Sequence, residues 1–170
     1  MAGASSMIDN LTPVSPFELS KYLGQWYEIA RLPTWFEKDM SNVTANYSLR
    51  KDGKVKVENS GLKKGKFETA VGKAKVVESP NIGYLKVSFF GPFYADYKVF
   101  VLDTANYQYA MVASSYKYLW ILCRQPTMEK RQMNDLVAEA QRRGFDTKQL
   151  IFTSQEHAGT PNNGGAAGKP

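Results

Sequence analysis

Residues 23–33, with the sequence LGQWYEIARLP, decide the fold of this chain. Gly24 and Trp26 open a strand-like run that two charges interrupt at opposite parity, Glu28 and Arg31. Because alternate residues of a strand point to opposite faces, Trp26 and Glu28 share the inner face and Arg31 faces outward. The pattern therefore predicts a tryptophan fixed at the start of a strand, with a carboxylate one step above it on the same side.

Seven more strand-like runs follow this one, each ended by turn residues such as Gly, Pro, Asn or Asp. Eight short runs at regular spacing predict a closed antiparallel barrel or a sandwich. The seven runs are VTANYSL (43–49), KVKVENSG (54–61), FETAVGKAKVV (67–77), YLKVSFF (84–90), DYKVFVLD (96–103), YAMVAS (109–114) and YLWILCR (118–124).

One helix follows the eighth run. Thr127, after Pro126, is suited to cap its start, and Gly144 is suited to a left-handed C-terminal cap. Its apolar face repeats at helical spacing and consists of Met133, Leu136, Val137 and Ala140. The run QLIFTS (149–154) predicts a short final strand.

Composition limits the classes of protein that this chain fits. Its 170 residues are 43% hydrophobic and carry a net charge of +6, and a chain of this length and hydrophobic content suits one globular domain. We expect this domain at 17–157, after a largely flexible arm (1–16) and before a disordered tail (158–170). Cys123 is the only cysteine, so an internal disulfide is excluded. Strand parity spreads the lysines over the outer face, which argues against a nucleic-acid groove.

The opening residues MAGASSMIDN show neither a signal pattern nor a cysteine that could carry a lipid. No apolar run is long enough to cross a bilayer. The sequence by itself therefore describes a soluble form, either natural or left after removal of a signal.

The inward faces of the runs mix aromatic with small residues, which fits either a cavity or a solid interdigitated interior. Ala30 and Leu32 are expected to start a cavity wall. By parity, the candidates for lining a cavity are Ala30, Tyr47, Val57, Asn59, Phe89, Tyr97, Val99, Tyr118 and Trp120.

Arg124 shares the inner face of the last run with Trp120 and needs a partner if it is buried. If the first and last runs pair antiparallel, Trp26 lies opposite Arg124, Glu28 opposite Leu122 and Ala30 opposite Trp120. This register predicts a stack of the Arg124 guanidinium on the Trp26 indole at one end of the barrel.

Three motifs in order resemble those of the lipocalin family. GQW (Gly24, Trp26) resembles the family's Gly-x-Trp signature, LDTANY (102–107) resembles its second conserved region, and Arg124 resembles the arginine of the third. Longer runs such as WYEIARLP and YLWILCRQPT resemble bacterial and apolipoprotein D-like lipocalins, and the resemblance covers about 17–157.

The resemblance implies an all-β fold: an eight-stranded up-and-down barrel with one C-terminal helix packed outside. Gly24, Trp26 and Arg124 would close one end, and the other end would open into a cup. Positions matching Tyr47, Asn59, Phe89 and Trp120 line the pocket in apolipoprotein D-like relatives.

The implied ligands are fatty acids and lysophospholipids, stored or transported for maintenance of the cell envelope. The implied location is the bacterial outer membrane or periplasm, with membrane attachment through a lipid anchor absent from this chain; a complete chain would be cytoplasmic. Some relatives are dimers, so a homodimer is an open expectation. No cofactor or metal is implied.

Three residues near the cup each have alternative expected positions or contacts. Phe36, in the loop PTWFEKDMSN (33–42), is expected to contribute to a lid or to tuck into the cup, with Trp35 left open. Lys63 would meet an anionic head group or remain solvated. Glu28, buried by parity, would be satisfied by water or by a neighbouring hydroxyl, or would contact a ligand.

Two alternatives to a lipid-binding barrel remain at this stage. One is a barrel with a filled interior that binds membrane surfaces or proteins from outside. The other is an enzyme, which the sequence disfavours because His157 is the only histidine and stands beside the expected tail. Cys123, between Leu122 and Arg124, should face outward under the helix.

Overall fold

The computed structural model describes residues 8–156, and these form a closed antiparallel barrel of eight strands. The alternating apolar pattern of the runs requires one buried face for every strand, and a sheet closed on itself provides it without leaving an edge. The predicted fold class, with one helix outside the barrel and a short final strand, is confirmed.

A single helical turn, α1 (Leu19–Tyr22), precedes the barrel, and α2 (Lys130–Arg142) and a 3₁₀ turn (Thr147–Gln149) follow it. The strands are β1 (Gly24–Arg31), β2 (Met40–Leu49), β3 (Val55–Lys63), β4 (Lys66–Val76), β5 (Tyr84–Phe90), β6 (Phe93–Leu102), β7 (Tyr109–Ser115), β8 (Tyr118–Cys123) and β9 (Ile151–Phe152).

Each strand from β2 to β7 pairs with the next strand in sequence, and β1 pairs with both β8 and β2. In this up-and-down order the β1–β2, β3–β4, β5–β6 and β7–β8 connections meet at one end of the barrel. We call this the open end, and the opposite end, which α1 covers, the closed end.

Two hydrophobic cores lie on the two sides of the barrel wall. The inner core fills the closed half of the barrel and includes Trp26, Tyr47, Val57, Val99, Val112 and Leu122. The outer core lies between the wall and α2 and includes Ile29, Ala30, Leu32, Cys123, Leu136 and Ala140. Cys123 therefore faces outward on the helix side of the barrel, as predicted.

A β-bulge in β1 changes the pairing of this strand with β8. Glu28 pairs with Leu122, as predicted, but the register then shifts, so that Ala30 pairs with Ile121 and Arg31 with Trp120. A bulge adds one residue to a strand and reverses the faces of the residues beyond it.

The bulge overturns three expectations for the end of β1. Ala30 and Leu32 belong to the outer core, so neither starts the cavity wall. Arg31, which parity placed outside, is 3% exposed and pairs with Glu28. The inserted residue is the physical reason, since strict alternation holds only along an unbroken ladder.

The part of the N-terminal arm that the structure describes is packed, in contrast to the loose arm expected for 1–16. Ile8 and Leu11 are buried in the outer core, and both of their carbonyl oxygens accept hydrogen bonds from Lys98 Nζ. Val14 extends this contact through a backbone bond to Val99. Residues 1–7 and the expected tail 158–170 lie outside the described residues.

Helix α2 begins at Lys130, three residues beyond the predicted cap Thr127, and Glu129 occupies the cap position. Its other end is as predicted, because Gly144 follows it with φ 102°, a conformation that glycine adopts without steric cost. Across 8–156, neither helix has the length and apolarity to span a bilayer.

Candidate ligand-binding site

The closed end of the barrel is sealed by a cation–π contact between Arg124 and Trp26. The guanidinium carbon of Arg124 lies 3.8 Å from the centroid of the indole, which is fully buried. The indole nitrogen of Trp26 donates to the carbonyl oxygen of Tyr22 at 2.8 Å. This bond ties α1 to the barrel wall, so the turn that covers the closed end is held by the same tryptophan.

The three guanidinium nitrogens of Arg124 join three backbone segments. They donate to the carbonyl oxygens of Tyr107 (3.1 Å), Gln25 (2.9 Å) and Lys21 (2.8 Å). Gly24 lies beneath this fork with φ 102°, and a Cβ there would meet Arg124 Nη1 at 3.3 Å. The Gly-x-Trp pattern thus supplies both the turn and the space that the arginine needs.

Three tyrosines meet above this seal. Tyr97 shares hydrogen bonds with the hydroxyls of Tyr22 (2.5 Å) and Tyr47 (2.8 Å). Burial raises the pKa of Tyr47 to about 12 and the pKa values of Tyr22 and Tyr97 well above the ordinary value. All three phenols are therefore neutral hydrogen-bond donors at physiological pH.

A pocket with an empty volume of about 250 Å³, which includes part of its opening, lies beside these tyrosines. α1 supplies its floor, and the closed-end halves of β2 to β6 supply its walls. It is lined by Leu19, Tyr22, Tyr47, Val55, Ala74, Leu85, Val87 and Tyr97. A predominantly apolar lining is usual for a small-molecule site.

The predicted lining residues divide into three groups in the structure. Tyr47 and Tyr97 line the pocket itself. Val57, Phe89, Val99 and Trp120 belong to or pack against the inner core without bordering the pocket. Asn59 is half-buried on β3 opposite Ala45 and Ala70, nearer the open end, and Ala30 lies outside the wall.

Phe36 and Tyr118 lie at the open end. Their ring centroids are 6.5 Å apart, and Phe36 is 44% exposed, so it sits on the rim rather than inside the cup. Trp35 packs edge-on against Phe36 and is 78% exposed. Lys63 ends β3 just before the Lys64–Gly65 turn of the same rim.

A buried polar group ties the β1–β2 loop to the barrel. Glu28 and Arg31 form an ion pair at 2.6 Å, and the hydroxyl of Thr153 also donates to Glu28. Arg31 Nη2 donates to the carbonyl oxygen of Glu37 at 2.8 Å, and the Glu37 carboxylate accepts from the indole of Trp120 at 2.9 Å. Glu28, left open by the sequence, is thus satisfied by neighbours within the chain.

This group places two carboxylates near one guanidinium. Burial and the neighbouring Glu37 raise the pKa of Glu28 well above its ordinary value, against the opposing effects of Arg31 and Thr153. Arg31 compensates only one of the two negative charges. A proton on Glu28 relieves the remaining repulsion, so this carboxyl gains a proton more readily than a solvated one.

Six of the lining residues were not among the predicted candidates. Val55, Ala74, Leu85 and Val87 stand at the inward parity of their strands, so alternation contained the signal for them. Leu19 and Tyr22 precede the barrel strands and have no strand parity. They reach the pocket only because the chain folds back across the closed end.

Among residues 8–156 no group of three or more His, Cys, Asp or Glu side chains could hold a metal ion. The pocket walls are formed by aliphatic side chains and tyrosine rings. What this arrangement can do chemically is to exclude water around an apolar group.

The sequence of this chain is similar to a known protein family and to several of its members. The sequence profile of the family described as "Lipocalin-like domain" matches residues 17–155. The chain is 48% identical over 157 residues to the outer membrane lipoprotein Blc of Vibrio cholerae, covering 91% of this chain and 92% of that protein. Apolipoprotein D of Macaca fascicularis is 34% identical over 150 residues, with 83% and 78% covered.

A solved structure supports the same architecture. Insecticyanin from the tobacco hornworm Manduca sexta superposes with a TM-score of 0.70 at 24% identity, covering 85% of this chain and 84% of that one. At this identity the likeness concerns the fold alone.

Proposed function

Because this chain belongs to the lipocalin-like family, we propose that its barrel binds single-chain lipids, fatty acids or lysophospholipids, for storage or transport in the cell envelope. Binding of small hydrophobic molecules is the general property of the family. The observation that carries the finer proposal is the apolar pocket between α1 and the inner faces of β2 to β6.

Transfer of an acyl chain from water into such a pocket contributes about 0.8 kcal/mol for each buried methylene. The space inside the pocket that a water-sized sphere can occupy is only about 10 Å³, far below the roughly 300–1,000 Å³ of a usual ligand site. We therefore propose that the pocket holds one end of the lipid and that the rest lies along Phe89 and Trp120 toward the open end.

Native mass spectrometry of the purified protein, before and after delipidation, tests the proposal. We expect a bound mass in the fatty-acid or lysophospholipid range, and uptake of a fluorescent fatty acid by the delipidated protein. Ala74→Leu, which fills the pocket, should weaken uptake, whereas Ala138→Leu on the exposed face of α2 should not. An empty barrel that takes up no fatty acid would contradict the proposal.

We propose the outer membrane, with the barrel in the periplasm, as the location of the native protein. The support is that Blc of Vibrio cholerae and Blc of Escherichia coli K12, 43% identical over 148 residues and covering 85% of this chain and 83% of that protein, are named outer membrane lipoproteins. Fractionation of cells that express the native gene should recover the protein with outer membranes. Recovery in the cytosol would contradict this location.

We propose that the barrel binds without catalysing a reaction, as lipocalins generally do. Cys123, the only cysteine, packs in the outer core, and its thiol faces the carbonyl oxygen of Thr127 at 3.9 Å. We expect Cys123→Ser to leave fatty-acid affinity unchanged in a fluorescence titration. Loss of binding in this variant would reopen an enzymatic role for the thiol.

A second candidate function is contact of the open end with a membrane surface. Trp35 in the β1–β2 loop, Phe90 at the end of β5 and Phe93 at the start of β6 are each more than 70% exposed. Lys64 lies in the β3–β4 turn and Lys66 begins β4 at the same end. Exposed aromatic rings beside lysines suit an anionic lipid interface.

Sedimentation with phospholipid vesicles tests the second candidate. We expect the protein to pellet with vesicles that contain phosphatidylglycerol, and Phe90→Ser with Phe93→Ser to reduce this binding. Leu49→Ser, an exposed residue near the closed end, is the matched control. Equal binding by both variants would contradict a role for the rim.

A further inference from the structure

The wall of the barrel is incomplete between β4 and the β5–β6 hairpin. β4 pairs with β3 from Lys66 onward, but its pairing with β5 begins only at Lys73. Within residues 8–156, no strand pairing joins 66–72 to β5, so the open-end half of β4 has a free edge. We call the gap between this edge and the hairpin the notch, and all of 66–71 is exposed there.

The notch lies next to the pocket on the inner side of the wall. Ala74 and Val87 line the pocket and pair with each other across β4 and β5. One inward step toward the open end are Gly72 and Phe89, and a Cβ on Gly72 would meet the Phe89 ring at 2.7 Å. The ring therefore packs against bare glycine backbone and separates the pocket from the notch. Ala70, the next inward residue of β4, is exposed.

Apolar side chains stand on both sides of the notch. Phe67 and Val71 on β4 are 49% and 55% exposed. Phe90 and Phe93 on the hairpin are 74% and 76% exposed. A cluster of exposed apolar side chains along a free strand edge indicates an interaction surface.

The charges beside the notch are mainly positive. Residues 64–75 contain the four lysines Lys64, Lys66, Lys73 and Lys75 and one carboxylate, Glu68. In the part of the chain that the structure describes, none of these lysines forms an ion pair. Apolar side chains among unpaired lysines fit the surface of an anionic lipid bilayer.

The opposite side of the open end is held in place. There Arg31 donates to the carbonyl oxygen of Glu37, and the Glu37 carboxylate accepts from the indole of Trp120. These bonds fasten the β1–β2 loop beside β8. Entry of a lipid on that side requires their release, whereas entry across the free edge of β4 breaks no strand pairing.

We infer that the notch is the entrance through which a single-chain lipid passes from an anionic bilayer into the barrel. This inference rests on the proposed lipid-binding function, and it goes beyond contact of the open end with a membrane because it gives the lipid a path through the wall. With the apolar side chains of the notch in the bilayer, a hydrocarbon chain crosses the edge of β4 without passing through water. Rotation of the Phe89 ring then joins the notch to the pocket.

Transfer of a fluorescent fatty acid, anthroyloxy-stearate, from vesicles to the delipidated protein tests the entrance. The vesicles contain phosphatidylglycerol and a quencher, so fluorescence rises as the lipid enters the protein. In a Cys123→Ser background, Val71→Cys and Phe90→Cys joined by a bismaleimide close the notch. We expect transfer to slow by about tenfold, because a bridged wall must open locally before a lipid can pass.

Val71→Cys joined to Glu58→Cys is the matched control, because β3 and β4 are already paired at these positions. We expect its transfer rate to equal that of the unbridged protein. Equal rates for the two bridged proteins would overturn the notch as the entrance and leave lipid binding intact. Absence of any uptake by the unbridged protein would overturn lipid binding as well.

Phe67→Ser with Val71→Ser tests the contact with the bilayer separately. Loss of two half-exposed apolar side chains should slow transfer from vesicles by about tenfold, but should leave uptake of the free fatty acid from solution unchanged. Phe152→Ser, 57% exposed on β9, should transfer like the wild type. Wild-type transfer by the serine pair would overturn the bilayer contact, and this comparison is decisive even if the bridge does not form.

Discussion

At the scale of single residues, two arginines in this barrel have opposite surroundings. Within residues 8–156, Arg124 is bonded to backbone carbonyls and stacked on a ring, and no carboxylate forms an ion pair with it. Arg31 is buried with two carboxylates, so its surroundings carry an excess of negative charge. The same side chain therefore stacks on a ring at one place and competes with a proton for a carboxylate at the other.

Replacing Arg124 with lysine tests the seal. A lysine keeps the charge but loses the planar stack on Trp26 and the fork that reaches three carbonyls. We expect the free energy of unfolding to fall by about 1–2 kcal/mol, measured by urea denaturation. Arg131→Lys, on the exposed face of α2, is the matched control, and an equal loss in both variants would argue against a special role for the fork.

The buried carboxyl of Glu28 predicts a pH dependence of stability. Its pKa is raised in the folded state, so above the unfolded value of about 4.3 the folded state binds more protons than the unfolded one. The contribution of Glu28 is then most favourable at and below that value and is lost as the pH rises through the folded pKa.

Urea denaturation of the wild type and Glu28→Gln between about pH 5 and pH 8 measures this effect. We expect the wild type to lose stability relative to the variant as the pH rises, because glutamine does not titrate. For Glu68→Gln, on the exposed part of β4, we expect the free energy of unfolding to change with pH as it does for the wild type. A constant difference between wild type and Glu28→Gln would show that the raised pKa does not affect folding.

At the scale of elements, the C-terminal segment completes the wall of the barrel. Direct pairing of β1 with β2 ends at Tyr27 and Thr44. Beyond this point β9 pairs with β1, and the amide of Asn42 in β2 donates to the carbonyl oxygen of Ser154. The gap between the first two strands is thus filled by residues more than 100 positions later in the chain.

Gln155 bridges this gap, and its replacement tests the arrangement. Its amide donates to the carbonyl oxygens of Glu28 (2.8 Å) and Val43 (2.9 Å). In Gln155→Ala both acceptors lose this partner, and we expect a loss of about 1–2 kcal/mol in the free energy of unfolding. Hydrogen exchange of the β1 and β2 amides should also accelerate, whereas Gln141→Ala, exposed on α2, should change neither quantity.

At the scale of the whole molecule, inner and outer cores share one wall. The inner core borders the pocket, and the outer core holds the helix and residues 8–11. Helix packing therefore supports the sheet from outside, while the inside can leave space for a ligand. The homodimer expected from relatives stays a prediction.

This arrangement predicts that a bound lipid stabilises the folded barrel. A ligand that binds only the folded state adds about 2.7 kcal/mol at a free concentration 100 times its Kd. We expect palmitate to raise the Tm of the delipidated protein by several degrees, while butyrate, which buries few methylenes, should have little effect. An unchanged Tm at saturating palmitate would contradict binding to the folded state.

The sequence by itself determined the eight strands, the outer helix and the sealed end, because apolar alternation, helical spacing and the Gly24–Trp26–Arg124 motifs are readable along the chain. Tertiary structure alone decided which side chains face inward at the end of β1 and which residues meet at the closed end. One residue inserted in β1 reversed the faces of Ala30 and Arg31, and Tyr22 met Tyr97, 75 positions away, only when α1 folded across the closed end. Local periodicity is set by neighbours in sequence, whereas a bulge and a long-range contact depend on how the whole barrel closes.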